Sequence, residues 1–511
     1  MAVQGKVPGG THAGAPGFAA LAVAREDWRR VAEELQAAGG RLLALWASAD
    51  AAGTAVLRAA FLMQHHGLVV TVAIPDPSSP YPGVADLFYA AGRMQRAIRD
   101  LTGLASSDSD QRPWLRHSAW PESYRPLIDP PLSGPFAAAV AEGYPFVRVA
   151  GDGVHEIAVG PVHAGVIEPG HFRFSVVGEK VLRLEERLGY VHKGIERRFT
   201  QLPILEGHRL AARISGDSAV AFSWAYCQAL EGMTGSEIPV RAAWLRALYL
   251  ELERVANHLG DLGALGNDAG FAFGLSQFSR LKEGLLRVIH GALGERYLMN
   301  AIVPGGTRGD IRRSEASSLG RCLRAIAGEA LRLRSIYDEH EGLRDRFNGA
   351  GTVDSVLAAR LGLTGLAGRA SGQAFDLRSD WPCEPFGRLA VKKCVRSEGD
   401  VAARVAVRFD ELEESLRLLE LILGDLPEGP HHRTVPVPRD GTSGAGLLEG
   451  WRGPVLVALE AGGTGTIHRC HPHDCSWQNW PVLEHAILGN IVPDFPLINK
   501  SFNLSYSGHD L

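Results

Sequence analysis

Residues 245–270 read LRALYLELERVANHLGDLGALGNDAG, and this stretch decides the fold of the larger part of the chain. Its apolar residues recur every three or four positions, the spacing that places side chains on one face of an α-helix. They are Leu245, Leu248, Leu252, Val255, Leu259 and Leu262. The same pattern occurs in 278–288 and in 412–423, where it ends at the turn-forming GDLPEGP of 424–430. This part of the chain is therefore predicted to be a helical bundle with β-strands at both ends.

The N-terminal part of the chain has a different pattern. WRRVAEELQ (28–36) has helical periodicity, whereas RLLALWAS (41–48) and GLVVTVAIP (67–75) are short apolar runs typical of buried strands. AGTAVLRAAFLMQ (52–64) is predicted to be a helix between these strands, and the alternating polarity of 147–166 predicts strands that lead into the bundle. The predicted fold class is α+β, with a small N-terminal α/β domain and a mostly helical second domain.

The length of 511 residues allows two domains. We assign 1–17 to a disordered tail, 18–135 to the first domain, 136–150 to a linker and 151–511 to the second domain. The region before the linker, 106–136, is rich in Ser, Asp and Pro and predicts an extended connector.

Charge and cysteine content exclude several classes of function. The net charge of -4 gives no basic field that would attract nucleic acid. Six cysteines without any Cys-x-x-Cys pair fit a reducing compartment better than a disulfide framework. The sequence has no uncharged apolar run of about 20 residues, so any attachment to a membrane is expected to depend on a partner.

Two polar clusters could carry chemistry. Residues 161–171 bring His163, Glu168 and His171 into one turn, where imidazole and carboxylate groups could relay protons. An ordinary polar loop with surface histidines explains the same residues, and the local sequence leaves both interpretations open. The second cluster, RCHPHDC at 469–475, could bind zinc, but its cysteines stand five positions apart and Pro472 lies between them. A buried structural or pocket-lining role is favoured there.

Six motifs in sequence order resemble one superfamily. They are GPVHAGVIEPGHFRF (160–174), LGYVHKGIE (188–196), ELERVANHLGDLGALGNDAG (251–270), RYLMNAIVPGG (296–306), RASGQAFDLRSD (369–380) and DFPLINKSFNLSYSGHDL (494–511). The chain resembles the large subunits of group 4 nickel–iron hydrogenases and the homologous 49 kDa subunit of NADH-quinone oxidoreductase (complex I). Its N-terminal part resembles the 30 kDa subunit of the same complexes, through YPGVADLF (81–88) and, in part, MQRAIRDLTGL (94–104). The resemblance implies a natural fusion of the two subunits, with the large-subunit fold.

The resemblance also places four positions where the hydrogenases carry metal-binding cysteines. Arg213-Ile-Ser-Gly-Asp-Ser218 stands where the family has Arg-x-Cys-Gly-x-Cys, so Ser215 and Ser218 replace the first pair. Ser505 and Gly508 replace the second pair near the C-terminus. Hydroxyl groups and glycine do not supply the soft thiolates that this metal chemistry requires. The resemblance therefore implies that this chain binds no nickel, iron or other cofactor of its own.

In complex I the corresponding cavity receives a quinone head, and the resemblance implies catalytic or binding roles here. His171 and His163 match the family's histidines, Glu168 matches a glutamate that gates protons in hydrogenases, and Asp268 matches an aspartate near the pocket. Arg213, Ser215, Ser218 and Ser505 are expected to line the former metal cavity, with quinone as a possible substrate. A tyrosine that the family carries after 188–196 is missing. Two hypotheses remain: a redox subunit and a non-catalytic core subunit.

The chain has no iron–sulfur ligands, so electrons are expected to arrive through partner subunits. The resemblance implies an iron–sulfur small subunit of the complex I type, a ferredoxin-like subunit and membrane-arm subunits as partners. It also implies a peripheral position on the cytoplasmic face of the inner membrane.

Overall fold

The computed structural model describes residues 17–49, 54–64, 66–117, 120–132, 143–163 and 167–511. Except for Gly17, the predicted disordered tail lies outside the described residues, and so do residues 136–142 of the predicted linker. The division into two domains at that linker stays a prediction.

A four-stranded sheet forms the N-terminal part of the described chain. Its strands are β1 (Phe18–Val23), β2 (Arg41–Ala49), β3 (Ala55–Leu62) and β4 (Gly67–Ile74), in the order β1-β4-β3-β2. Strand β1 runs parallel to β4, and the other neighbours are antiparallel. Helix α1 (Trp28–Ala37) follows β1, and α2 (Ala91–Thr102) follows β4.

The predicted helix at 52–64 is wrong, because Ala55–Leu62 is the inner strand β3. Its residues pair with β2 on one side and with β4 on the other, and both faces of the strand are largely buried. A strand covered on both faces carries a continuous apolar run, and periodicity alone does not distinguish such a run from a buried helix. The predicted helix at 28–36 and the predicted strands at 41–48 and 67–75 are confirmed.

The three apolar stripes identified in the sequence form long helices, as predicted. They lie on α6 (Val240–Asp268), α7 (Ala272–Leu293) and α13 (Val401–Gly424), which pack together with α5 (Ala219–Thr234) and α8 (Arg313–Glu339). Shorter helices connect and cover this bundle. They are α3 (Ile195–Phe199), α4 (Gly207–Ala211), α9 (Glu341–Phe347), α10 (Ser355–Leu361), α11 (Gly365–Ala370), α12 (Leu377–Asp380), α14 (Ser476–Ala486), α15 (Phe495–Phe502) and α16 (Tyr506–Asp510).

Along the sequence, one small antiparallel sheet precedes the helical bundle and another follows it. The first contains β5 (Val154–Val159), β6 (His171–Val177) and β7 (Lys180–Arg187). A two-stranded ribbon, β8 (Ile302–Val303) and β9 (Gly306–Thr307), lies between α7 and α8. The last sheet contains β10 (Ser443–Glu449), β11 (Pro454–Gly462) and β12 (Thr466–Asp474). The predicted fold class is therefore confirmed.

The N-terminal part is joined to the rest by buried contacts. Arg93 on α2 forms ion pairs with Glu186 at 2.8 Å and with Glu484 at 2.7 Å. The segment after α2 lacks helices and strands where it is described, but it buries Trp114, which is 1% exposed. Asp100 holds this segment by accepting hydrogen bonds from the backbone N–H groups of Trp114, Leu115 and Arg116. One hydrophobic core consequently extends across both parts of the chain.

The helical bundle contains fully buried charges. Arg369 lies 2.7 Å from Glu411 and 2.7 Å from Glu449, and all three side chains are shielded from solvent. His258 also contacts Glu411, at 3.1 Å. Buried charges of this kind are tolerated only when each has a partner, so this network ties α6, α11, α13 and β10 together.

None of the helices in the described ranges is both long enough and apolar enough to cross a membrane.

Candidate functional site

The candidate site lies where two segments that are 290 residues apart in the sequence meet. The Ser215 and Ser505 hydroxyl oxygens lie 2.9 Å apart, in hydrogen-bond contact. Ser505 precedes α16 and caps it, because its Oγ accepts a hydrogen bond from Gly508 N at 2.8 Å. Its backbone N–H donates to Ser476 Oγ at 2.9 Å, which fixes the tail against α14. The two segments that the resemblance assigns to one cavity are therefore in direct contact.

A carboxylate and an arginine connect these two segments. Ser215 Oγ donates to Asp217 Oδ1 at 2.7 Å, and both terminal nitrogens of Arg452 donate to the same carboxylate. Arg452 Nε also donates to Asn503 O on the tail. Burial opposes ionisation of Asp217, but Arg452 and Ser215 together hold its pKa below the ordinary value. Asp217 and Arg452 were not identified from the sequence, because 235 positions separate them and Arg452 follows an apolar strand.

The four positions that carry cysteine in the hydrogenases show how this site differs from a nickel–iron centre. Ser215, Ser218 and Ser505 are each less than 5% exposed. A Cβ atom built on Gly508 would lie 2.9 Å from Asp474 Oδ2 and 3.0 Å from Ser505 Oγ, so a cysteine there would need its neighbours to move. The available donors are hydroxyls, a carboxylate and a guanidinium, and the four positions include no thiol. These residues do not fit a nickel–iron centre, which needs thiolate ligands.

The loop between β5 and β6 reaches the same tail through Glu168. Its carboxylate accepts hydrogen bonds from the backbone N–H of Ser507, at 3.2 Å, and from the Ser507 hydroxyl. His163 Nε2 donates to Gly170 O at 2.8 Å, and His171 Nδ1 donates to Gly160 O at 3.2 Å. Ser215 and Ser505, with the Asp217 and Arg452 groups bonded to them, are called the serine cluster. Glu168 thus contacts the tail two positions beyond Ser505 of this cluster, whereas the two histidine contacts hold the loop itself. The proton-transfer roles of all three residues stay predictions.

Tyr506 of the tail packs its ring against the loop between β5 and β6. A Cβ atom on Gly170 would lie 2.6 Å from Tyr506 Cε1, so only glycine leaves room for the ring. The ring also packs edge-on against Trp480, with centroids 4.8 Å apart. The resemblance predicts a tyrosine after 188–196, and the sequence has none there. Tyr506 was not identified from the sequence as a residue of this site.

Arg213 and Asp268 lie away from these contacts. Arg213 is exposed and donates to Arg209 O at 2.6 Å and to Asn300 Oδ1 at 3.1 Å, in an open groove. Asp268 is exposed at the last residue of α6, whereas Asn257 on the same helix donates to Asp217 O at 2.7 Å. The rise of the helix between Asn257 and Asp268 is about 16 Å. Neither side chain directly contacts the serine cluster.

Residues 469–474 form the end of β12 and Cys475 precedes α14, and the whole segment is buried, as the favoured interpretation required. His471 Nδ1 lies 2.7 Å from Glu196 Oε1, and its ring stacks on Trp46 of β2 at a centroid distance of 5.1 Å. His473 Nε2 lies 3.0 Å from Gln478 Oε1. Within the described residues, no group of three or more His, Cys, Asp or Glu side chains has an arrangement suited to a metal ion. The contacts support a structural role at the junction with the N-terminal sheet.

Glu253 on α6 supports the loop that carries Ser215. Its carboxylate accepts hydrogen bonds from Val220 N at 2.7 Å and Ala221 N at 3.3 Å, at the start of α5. Desolvation raises the pKa of Glu253 from 4.5 to about 8, and the negative charge of Asp217 adds to the increase. The folded state therefore binds this proton more tightly than the unfolded state. Through Glu253, stability should fall as the pH rises from about 4.5 to about 8.

We expect Glu253→Gln to remove this dependence. The free energy of unfolding of the variant, relative to the natural chain, should rise with pH by up to about 1.4 kcal/mol per pH unit within the window. Urea denaturation at several pH values between about 5 and 8 measures the difference, and Glu428→Gln at an exposed position is the matched control. Parallel pH profiles for the Glu253 variant and the natural chain would show that this carboxyl does not titrate there.

The fold and the site define a class: a large subunit of the complex I and nickel–iron hydrogenase type, joined to a 30 kDa-type domain. Residues 268–444 match the family described as respiratory-chain NADH dehydrogenase, 49 Kd subunit, and residues 21–133 match the 30 Kd subunit family. Hydrogenase-4 component G of Escherichia coli K12 is 30% identical over 448 residues, which cover 87% of this chain and 78% of that protein. The C/D subunit of NADH-quinone oxidoreductase from Bacteroides thetaiotaomicron is 27% identical over 426 residues, covering 79% and 80%.

A solved structure agrees with these relatives. A chain of the archaeal membrane-bound sulfane sulfur reductase, a respiratory membrane complex, superposes with a TM-score of 0.66 at 25% identity. The match covers 71% of this chain and 100% of that one. The chain belongs to the family of complex I 49 kDa and group 4 hydrogenase large subunits, fused to a 30 kDa-type domain. Members of this family are subunits of oxidoreductase complexes.

Proposed function

We propose that this chain is a metal-free redox subunit of a membrane-associated complex related to complex I and hydrogenase-4. In this proposal it directs electrons from iron–sulfur partners to a quinone-type acceptor. Relatives named as NADH-quinone oxidoreductase subunits and as a membrane-bound hydrogenase subunit support the type of complex. The proposed partners are an iron–sulfur small subunit, a ferredoxin-like subunit and membrane-arm subunits. The proposed place is peripheral, on the cytoplasmic face of the inner membrane.

The contact between Ser215 and Ser505 carries this proposal. It joins the two former metal-ligand segments at one point, where hydroxyls, Asp217 and Arg452 stand in place of thiolates. Reduction of a quinone to a quinol takes two electrons and two protons. Glu168, hydrogen-bonded to the Ser507 hydroxyl two positions from Ser505, can pass one of these protons to the reduced acceptor, and the second proton comes from solvent. The electrons come from partner clusters, since the chain supplies no cluster ligands.

A second function, that of a non-catalytic core subunit, is favoured by a different feature of the same contacts. Ser215, Ser505, Asp217 and Arg452 bond to one another, so these groups are satisfied by protein alone. A cluster of this kind would hold two segments together in an assembly without binding any substrate.

Analysis of the intact complex distinguishes these functions. We expect purified complex to contain no stoichiometric nickel, to show no hydrogen uptake with viologen dyes and to reduce a short-chain ubiquinone analogue with electrons from its iron–sulfur subunits. Elemental analysis, hydrogen consumption and quinol formation are the measurements. About one nickel per chain would contradict the metal-free proposal. Absence of quinol formation in a complex whose clusters are reducible would favour the core-subunit function.

A further inference from the structure

A groove runs between α8 and α13, on helices that contribute nothing to the serine cluster. Its volume is about 730 Å³. The floor is apolar, and Leu331 in it remains 54% exposed. The floor residues are Ala316, Leu323, Ala327, Ala330, Leu331, Phe409, Leu412, Leu416 and Leu423. Five of these residues are buried, so the apolar surface open to solvent comes from Leu331 and from the partly exposed Ala316, Ala327 and Leu423. An exposed leucine set in a concave groove offers a contact to another molecule.

The rim of the groove is positively charged. Five arginines line it, Arg313, Arg321, Arg324, Arg334 and Arg417, against two acids, Glu413 and Glu420. Arg334 pairs with Asp410 at 2.7 Å and Arg417 with Glu414 at 2.6 Å, so these two arginines are neutralised within the chain. Arg324 lies 3.9 Å from Glu420, and Arg313 and Arg321 are exposed. The positive charge of the rim is therefore concentrated at Arg313, Arg321 and Arg324 on α8, where an acidic partner would complement it.

We propose that this groove binds an amphipathic α-helix of a partner protein, with an apolar stripe flanked by Asp and Glu. The lining residues run from 313 to 334 on α8 and from 409 to 424 on α13. These spans correspond to about 32 and 23 Å along the helices, the length of a helix of about 15 to 20 residues. A concave groove between two helices accommodates a third helix in this way. A flat bilayer surface would contact the arginine rim and leave the floor empty. This inference does not depend on the proposed redox function.

The test uses the purified full chain and a synthetic helical peptide of about 18 residues, with leucines at i, i+3, i+4 and i+7 and glutamates beside them. Fluorescence anisotropy measures its binding at low and at high salt. A peptide with the same leucines and lysines in place of the glutamates is the matched probe. The double variant Arg321→Glu/Arg324→Glu should weaken binding of the acidic peptide at least about tenfold. Arg332→Glu, on the same helix outside the groove, should leave it unchanged.

Several results would overturn the proposal. The acidic and basic peptides could bind equally well, or Arg332→Glu could weaken binding as much as the double variant. Binding to phosphatidylglycerol vesicles that is lost in the double variant, without any preference for the acidic peptide, would assign the groove to a lipid surface. A photo-crosslinking amino acid at position 331 in the intact complex gives an independent readout. Cross-links should map to an acidic amphipathic helix of another subunit, and cross-links to loops alone would contradict the assignment.

Discussion

Arg369→Met should lower the free energy of unfolding by about 3–5 kcal/mol, because it leaves two carboxylates buried without their main partner. The Arg369 side chain bonds to Glu411 and Glu449, and its Nη1 also donates to Phe375 O at 3.0 Å. Methionine fills a similar volume, so the loss measures the charge interactions more than the packing. Urea denaturation of the purified chain at neutral pH, followed by circular dichroism, gives the value.

The control for this experiment is Arg388→Met. Arg388 also pairs with a glutamate, Glu384, at 3.2 Å, but its side chain is 67% exposed. Exposed pairs contribute about 0–1 kcal/mol, so this variant should be nearly neutral. Equal effects of the two substitutions, or a change below about 1 kcal/mol for Arg369→Met, would show that the buried network does not stabilise the bundle.

Acid should reduce the difference between Arg369→Met and the natural chain. Burial raises the pKa of Glu411, but Arg369 and His258 more than offset this and hold the pKa well below 4.5. A carboxyl with a depressed pKa contributes stability above its ordinary pKa and loses it as the pH falls towards the folded value. Without Arg369, Glu411 loses its strongest stabilising charge, so the deficit should be largest near neutral pH.

The sequence predicted what depends on local periodicity and on motif order. The long helices α6, α7 and α13 follow from their apolar stripes, and motif order predicted that Ser215 and Ser505 belong to one site. Strand β3 could not be recognised, because its burial depends on two neighbouring strands rather than on its own residues. The pairing of Asp217 with Arg452 depends on how the tail and the last sheet fold back on α5, which no local pattern records.

Asp268 and Arg213, which lie apart from the serine cluster, show a different limit of prediction from sequence. Asp268 and Arg213 were assigned through motif position, which fixes where a residue stands in the chain. It does not fix which way a helix end or an exposed loop faces. Asp268 ends α6 at the surface, and Arg213 points into an open groove, where neither directly contacts the serines. This chain alone gives these two side chains no role in the cluster.

Glu168→Gln is expected to lower the rate of quinone reduction by the intact complex about 100-fold, while the KM for the quinone changes by less than about threefold. Glutamine keeps one oxygen that can accept from the Ser507 N–H, and its amide N–H can donate to the Ser507 hydroxyl oxygen instead of accepting from it, so the loop should stay in place, but the side chain cannot exchange a proton. Ser507→Ala should give a smaller decrease, because it removes one contact and leaves the carboxylate.

Glu179→Gln, on the exposed turn after β6, is the control and should have no effect. If Glu168→Gln assembles and turns over like the natural complex, Glu168 only fastens the tail, and the core-subunit function explains the contacts of this site better than proton transfer does.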